Sequence, residues 1–221
     1  MITLIFFWQI KPNAILKAIL LMATQRRSIR NQPGVVFFKL LGTGKGETFT
    51  PRDANSKRWG VLVTIDENKI LNFEDSKVLK QWRKIATSEY SAKLQPISSH
   101  GFWSKKQPFT ATSQNWDGKV VAITRARIKW LQNFKFWRAV PPVTKSLHES
   151  PGLISAIGIG EAPIGLQGTF SIWRDGAALR EFAYKGAAHA KAITATAENN
   201  WYAEELFARF AVISESGSLL K

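Results

Sequence analysis

Of the three histidines in the chain, His189 has the surroundings best suited to holding a metal-bearing cofactor. It sits in Gly186-Ala187-Ala188-His189-Ala190-Lys191-Ala192, where almost every neighbour is small. Small side chains let a flat macrocycle approach a helix closely, and a neutral imidazole is the usual haem iron ligand where no ligating cysteine is present. The same pattern also fits a helix-surface histidine beside alanines that favour the helix. His148 precedes Pro151 and suits a helix C-terminus, where the macrodipole favours it, and His100 lies at a strand end in Ser98-Ser99-His100-Gly101. Arg52 and Arg125 are candidates for pairing with carboxylates such as haem propionates, each also readable as a surface arginine. Trp173 and Phe182 are candidate pocket lining for the cofactor or a long apolar substrate, although Trp173 is equally suited to a core. Gly42-Thr43-Gly44-Lys45-Gly46 suggests a phosphate loop but lacks the Gly-Lys-Ser/Thr ending and opens no helix. No Ser-His-Asp triad or paired catalytic carboxylates can be placed.

Composition narrows the chemistry further. With no cysteine, a disulfide framework, a thiolate-bound zinc, an iron–sulfur cluster and a haem thiolate are excluded. With three histidines, a His-rich mononuclear site or a di-iron centre built on paired Glu-x-x-His motifs is not expected, and a metal held by one protein ligand stays open. Thirty-one Lys and Arg against sixteen Asp and Glu give a net charge of +15, which attracts anionic partners: nucleic acid, an anionic membrane or an acidic electron carrier. No ribonucleoprotein, zinc-finger or P-loop motif favours nucleic acid, so none is expected as a partner. The apolar stretch from Met1 to Met22 is interrupted by Gln9, Lys11, Pro12 and Lys17, leaving no uninterrupted run of ~18 residues, and the chain is expected to be cytoplasmic.

The elements that position these residues come as two copies. Gln9-Ile10-Lys11 returns as Arg127-Ile128-Lys129, and Pro33-Gly34-Val35-Val36 as Pro151-Gly152-Leu153-Ile154, both at an offset of 118. A first-copy loop longer by nine residues then gives an offset of 109, pairing Ile65-Asp66 with Arg174-Asp175, Phe73 with Phe182 and Lys80 with His189. A period of this length indicates duplication of a small domain. Hydrophobic patterning predicts strands at Ile2–Trp8, Val35–Leu41, Trp59–Ile65 and Tyr90–Ser98, with helices after Pro12 and over Phe73–Ile85. The second copy repeats the order, with strands at Lys119–Ala126, Leu153–Ile159, Gly168–Trp173 and Leu206–Ile213. Its helices are expected over Leu131–Ala139, stopped by Pro141-Pro142 with a further helical turn allowed up to Leu147, and over Gly176–Thr196 in two pieces around Gly186. The fold expected is α+β: two tandem ferredoxin-like (βαββαβ) units, 1–109 and 119–214, forming a pseudo-dimeric α+β barrel. A ligand cavity then lies inside the barrel or between a sheet and its helices.

At Phe38-Lys39-Leu40-Leu41-Gly42-Thr43-Gly44-Lys45-Gly46-Glu47-Thr48-Phe49-Thr50-Pro51-Arg52 the chain resembles the spheroidene monooxygenase family of acyclic carotenoid ketolases. The resemblance continues through Phe102-Trp103, Ile123-Thr124-Arg125-Ala126, Phe136-Trp137-Arg138, Ile157-Gly158-Ile159-Gly160-Glu161, Thr169-Phe170-Ser171-Ile172-Trp173, His189-Ala190-Lys191 and Trp201-Tyr202-Ala203-Glu204-Glu205-Leu206. It implies a monooxygenase that uses haem b, dioxygen and electrons from a reduced ferredoxin or similar donor to hydroxylate or ketolate a carotenoid. The family is similar to the dimeric α+β barrel haem proteins, in which a helix histidine of the C-terminal unit binds iron, and His189 occupies that place. Peripheral association with the inner face of an anionic membrane, and a homodimer, are compatible with it. Other readings are a different haem enzyme on the same barrel (peroxidase, haem-degrading or aldoxime dehydratase-like), a non-catalytic haem-binding protein, or a basic nucleic-acid-binding module.

Overall fold

A computed structural model of the protein describes all residues except 49, 113–114, 130–131, 162–165, 186–201 and 220–221. Eight antiparallel strands close into one barrel, β1 (Ile2–Ile10), β2 (Val35–Gly44), β3 (Ala54–Ile65), β4 (Ala86–Gly101), β5 (Val120–Ile128), β6 (Leu153–Gly160), β7 (Leu166–Trp173) and β8 (Tyr202–Ser216), in the order β1-β3-β2-β6-β7-β5-β8-β4. The helices are α1 (Ile15–Arg30), α2 (Ile70–Glu74), α3 (Lys77–Arg83), α4 (Asn133–His148) and α5 (Gly176–Lys185). Within each half the strands lie in the same order, β4-β1-β3-β2 and β8-β5-β7-β6. The mixed α+β barrel expected from the duplicated pattern is the fold of the chain.

The halves join edge to edge as well as face to face. One seam is long, β4 pairing with β8 from Ser91↔Ser216 to Gly101↔Leu206. The other is short, β2 meeting β6 only at Gly42↔Gly160, Thr43↔Ile159 and Gly44↔Gly158. Closing the sheet removes the unpaired edges that two separate four-stranded sheets would expose.

Side-chain alternation then divides the core in two. Residues facing inward, among them Ile5, Phe7, Tyr90, Ile123, Phe170 and Phe210, fill the barrel as one apolar cluster. Phe7 meets Phe170 edge-on at 5.2 Å, and Phe109 meets Phe210 likewise at 4.9 Å. The interior is a packed core. On the outer face of the N-terminal half, Leu4, Phe6, Trp8, Leu40, Val61 and Val63 pack against α1 and α3, with Trp8 stacked on Trp82 at 5.1 Å.

Three local expectations need correction. The ladders pair Ile2 with Ile65 and Val120 with Trp173, so the strand offset across β3 and β7 is 108, one less than residue-type matching indicates. Register follows the hydrogen-bond ladder and inward alternation, and Asp66 N–H and Arg174 N–H donate equivalently to the Gly34 and Gly152 carbonyls. Helix α4 is not interrupted at Pro141-Pro142: the helix and the further turn allowed up to Leu147 are one element, Asn133–His148. Both prolines are exposed, while Val140, Thr144 and Leu147 keep a buried stripe running past them. Packing of that stripe outweighs the lost hydrogen bonds on a side where water can satisfy the freed carbonyls. The region read as one helix, Phe73–Ile85, is two, because Ser76 caps α3 by accepting from Leu79 N–H.

Candidate functional site

Row by row, the outer faces of the two halves carry opposite kinds of residue. Across β2, β3 and β1 the N-terminal half presents Phe38, Val63 and Leu4 in one row and Leu40, Val61 and Phe6 in the next. The registers place Ala156, Ser171 and Ala122 in the matching first row of β6, β7 and β5, and Gly158, Thr169 and Thr124 in the second. In the third, Trp59 and Trp8 give way to Gln167 and Ala126. Two sheets of the same topology thus differ by almost every large side chain on the face that receives the helices. In the N-terminal half these side chains fill the layer between sheet and helices, and in the C-terminal half the same rows carry small or polar side chains.

Trp173 and Phe182 border this face. Trp173 is fully buried, its ring stacks on Phe182 at 5.3 Å, and its indole N–H donates to Ser171 Oγ at 2.9 Å. Val120, Ala122, Leu147, Ala178 and Leu179 complete the apolar surround. A loop from the other half also reaches it. Gly46, at φ +76°, lies so close to β6 that an added Cβ would stand 2.8 Å from the Gly158 nitrogen. Thr144 Oγ1 of α4 donates to the Glu47 carbonyl at 2.7 Å, while Asp53 accepts from the N–H groups of Glu47 at 3.0 Å and Thr48 at 2.5 Å. The segment that follows the glycines is therefore a tether in which the chain's own Asp53 carboxylate takes the backbone donors that a phosphate loop would offer to a phosphate.

A second constellation closes one end of the barrel interior. Arg125, alternating with inward Val121 and Ile123 on β5, is 4% exposed and donates to Glu204 and, at 3.1 Å, to Glu161 Oε1. Lys39 donates to the other oxygen of Glu161 and to Ser104 Oγ at 2.5 Å, and Trp103 Nε1 donates to Glu161 Oε1 at 2.7 Å. Glu204 also accepts from the N–H groups of Ser104 at 2.9 Å and Lys105 at 2.6 Å. Both of those residues have positive φ, 54° and 60°. The Trp103 ring lies under Arg125 and Lys39 at 5.8 and 5.7 Å. Burial pushes the Glu161 carboxyl up, but hydrogen bonds from Lys39 and Trp103 and the charges of Lys39 and Arg125 outweigh it and leave it below the usual range. Burial opposes ionisation of Glu204 too, and the Lys105 and Ser104 N–H groups with Arg125 again win. Two cations and two anions thus hold the tight turn 102–106 as a plug.

The sequence-derived candidates are sorted by this geometry. Trp173 and Phe182 come together on the outer face of the C-terminal half. Arg125 lies on the opposite face of the same sheet, with both ends of its guanidinium engaged by carboxylates. Arg52 is exposed in the short turn that ends the tether loop. His189 lies outside the described residues, and Lys80, which residue-type matching at an offset of 109 sets against it, is exposed and pairs with Asp75 at 2.7 Å. His100 is exposed opposite Phe207, and His148 is exposed at the end of α4. Among the described residues no group of three or more His, Asp or Glu could hold a metal ion. Lys39, Trp103, Glu161 and Glu204 were not singled out as site residues. The available signal was Arg125 itself, an inward position on an apolar strand that demands carboxylate partners.

No family model matches the chain. A spheroidene monooxygenase of Rhodobacter capsulatus is 38% identical over 202 residues, 89% of this chain and 83% of that protein. The chain belongs to the spheroidene monooxygenase family. A second spheroidene monooxygenase, from Cereibacter sphaeroides, is 33% identical over 200 residues, 89% of this chain and 61% of that longer relative. Among solved structures, an aldoxime dehydratase superposes with a TM-score of 0.58 over 96% of this chain and 80% of that one, at 8% identity, a likeness of fold alone. Among the described residues, several of the segments that carry the family resemblance contribute to the two constellations above. Residues 44–48 and 50–52 belong to the tether over β6, and Lys39, Trp103, Arg125, Glu161 and Glu204 form the charged plug.

Proposed function

We propose that the protein is a haem b-dependent monooxygenase that hydroxylates or ketolates an acyclic carotenoid or a similarly long apolar substrate. In this reading the haem lies between the outer face of the C-terminal sheet and its helices. The supporting observation is the replacement of Phe38, Leu40, Leu4, Phe6 and Trp8 by Ala156, Gly158, Ala122, Thr124 and Ala126 at matched register positions. The residues present fit a flat macrocycle in size and polarity, and they offer no competing metal cluster among the described residues.

Bound haem would supply dioxygen activation, so that one oxygen atom enters a C–H bond while the other leaves as water, with two electrons and two protons drawn from outside. His189 would hold the haem iron, and Arg52 would pair with a propionate. Trp173 and Phe182 form a rigid apolar wall that excludes water and orients either the macrocycle edge or a polyene. Arg125 acts through the plug: it fixes the ends of β5, β6 and β8, which set the floor of the sheet under the site. The units 1–109 and 119–214 divide the labour in this reading, the first as scaffold and tether and the second as cofactor domain. A reduced ferredoxin or similar acidic donor would be drawn by the +15 charge, and peripheral contact with an anionic membrane would give access to the substrate. No helix among the described residues is long and apolar enough to cross a membrane.

The test restores the bulk that the first half carries. Ala122→Leu with Ala156→Phe should abolish the Soret band on hemin titration while the circular dichroism spectrum keeps its wild-type shape and melting stays cooperative, lowered by the ~1–3 kcal/mol that overpacking a buried site costs, and His189→Ala should lose or shift that band. Haem uptake unaltered by filling the face would overturn the placement; no haem uptake by the wild type would overturn the cofactor.

A further inference from the structure

Helix α1 is fixed in rotation. Its stripe Ala18, Leu21, Gln25 and Ile29 is buried, and Gln25 accepts from the Trp82 indole N–H at 2.8 Å and donates to Gln81 at 2.7 Å. The opposite face is consequently committed to the outside. There Leu16 is 70% exposed, Leu20 56% and Ile19 49%, all within two turns and on one side at helical spacing. Arg26, Arg27 and Arg30 continue the same face toward the C-terminus and are exposed. Among the described residues none of the three arginines is in an ion pair. The sequence holds no Asp or Glu before Glu47, whereas Lys11, Lys17, Arg26, Arg27, Arg30, Lys39 and Lys45 fall in the same span. Beside the arginines opens a cleft of about 310 Å³, lined in part by Arg26, Arg30, Lys106 and the half-exposed Val36.

We propose that this face of α1 docks on an anionic lipid bilayer, with Leu16, Ile19 and Leu20 entering the headgroup boundary and Arg26, Arg27, Arg30 and Lys106 meeting lipid phosphates. An apolar patch and a cationic patch side by side on one helix face are what an interfacial helix presents to such a surface. A second copy packed over Leu16, Ile19 and Leu20 would leave the arginines without anionic partners, since the helix carries no acidic residue. An acidic soluble protein would satisfy the arginines and leave three exposed aliphatic side chains without purpose. The proposal rests on the carotenoid reading in one respect: it names the lipid phase from which a long apolar substrate would be drawn.

The experiment is flotation of the full chain with phosphatidylcholine vesicles, with and without phosphatidylglycerol. The wild type should float with the anionic vesicles and far less with the neutral ones. Leu16→Ser with Leu20→Ser, and separately Arg26→Gln with Arg27→Gln and Arg30→Gln, should each lower the partition coefficient at least about tenfold, since each cation near an anionic surface is worth roughly fivefold. Melting temperatures should not move, all five side chains being exposed. Partitioning like wild type by both variants, equal binding to neutral vesicles, or arginine-dependent capture of an acidic ferredoxin without vesicle binding would each overturn the proposal. Because flotation needs neither cofactor nor turnover, failure of the carotenoid reading is seen separately, as absent turnover of detergent-dispersed carotenoid by a protein that still floats.

Discussion

Replacing Arg125 by Met tests whether the charged plug holds the barrel end. The substitution removes a cation only 4% exposed and leaves Glu161 and Glu204 facing the space it occupied. Breaking a buried ion pair costs about 3–5 kcal/mol, because the partner charge stays behind without compensation. Here neither carboxylate is abandoned: Glu161 keeps Lys39 and Trp103, and Glu204 keeps the Ser104 and Lys105 N–H groups. The cost should therefore fall near the low end, about 3 kcal/mol, which for a chain of this size lowers the melting temperature by roughly 6–12 °C. A pH signature accompanies it. Both carboxyls sit below their ordinary range in the folded protein, so the stability they contribute is fully present above the unfolded value, about 4.3, and is lost as pH falls through the depressed folded values. Without Arg125 those folded values rise, and the stability gap between variant and wild type should narrow as the pH is lowered past the unfolded value. Urea unfolding monitored by circular dichroism at pH 7 and at successively lower pH reads both effects. A variant within 1 kcal/mol of wild type at neutral pH, or a gap that does not change with pH, would refute the assignment.

Removing the Asp53 carboxylate with Asp53→Ala should free the tether, giving faster proteolytic cleavage between residues 44 and 53 and a loss of about 1–3 kcal/mol from two orphaned N–H groups. In the assembled enzyme the same change should raise KM for a long substrate more than it lowers kcat. Gly101→Ala places a Cβ 2.3 Å from the Glu205 carbonyl oxygen at φ +89°, so the plug must shift; a loss exceeding 1 kcal/mol together with a change in tryptophan emission from Trp103 is expected.

Much of this protein is written in its sequence because period and duplication are local properties. Strand β1 is read from a run of apolar β-formers, and two copies of one order lead to two equivalent sheets that must bury an apolar face. The aromatic wall of Trp173 and Phe182 is legible for the same reason, since both occupy core positions of the duplicated pattern. The tertiary structure decided what depends on distant partners. Whether Arg125 meets a cofactor or a carboxylate turns on Glu161 and Glu204, 36 and 79 residues away, which a strand-by-strand reading cannot bring together. That α4 continues through Pro141-Pro142 follows from the stripe it buries, a packing gain invisible to local propensity. The contrast between the two outer faces needed the ladders themselves, because an offset wrong by one residue exchanges inner for outer positions and hides the alternation of large against small. Sequence settles which residues the halves carry, and only the hydrogen-bonded register settles which of them share a face.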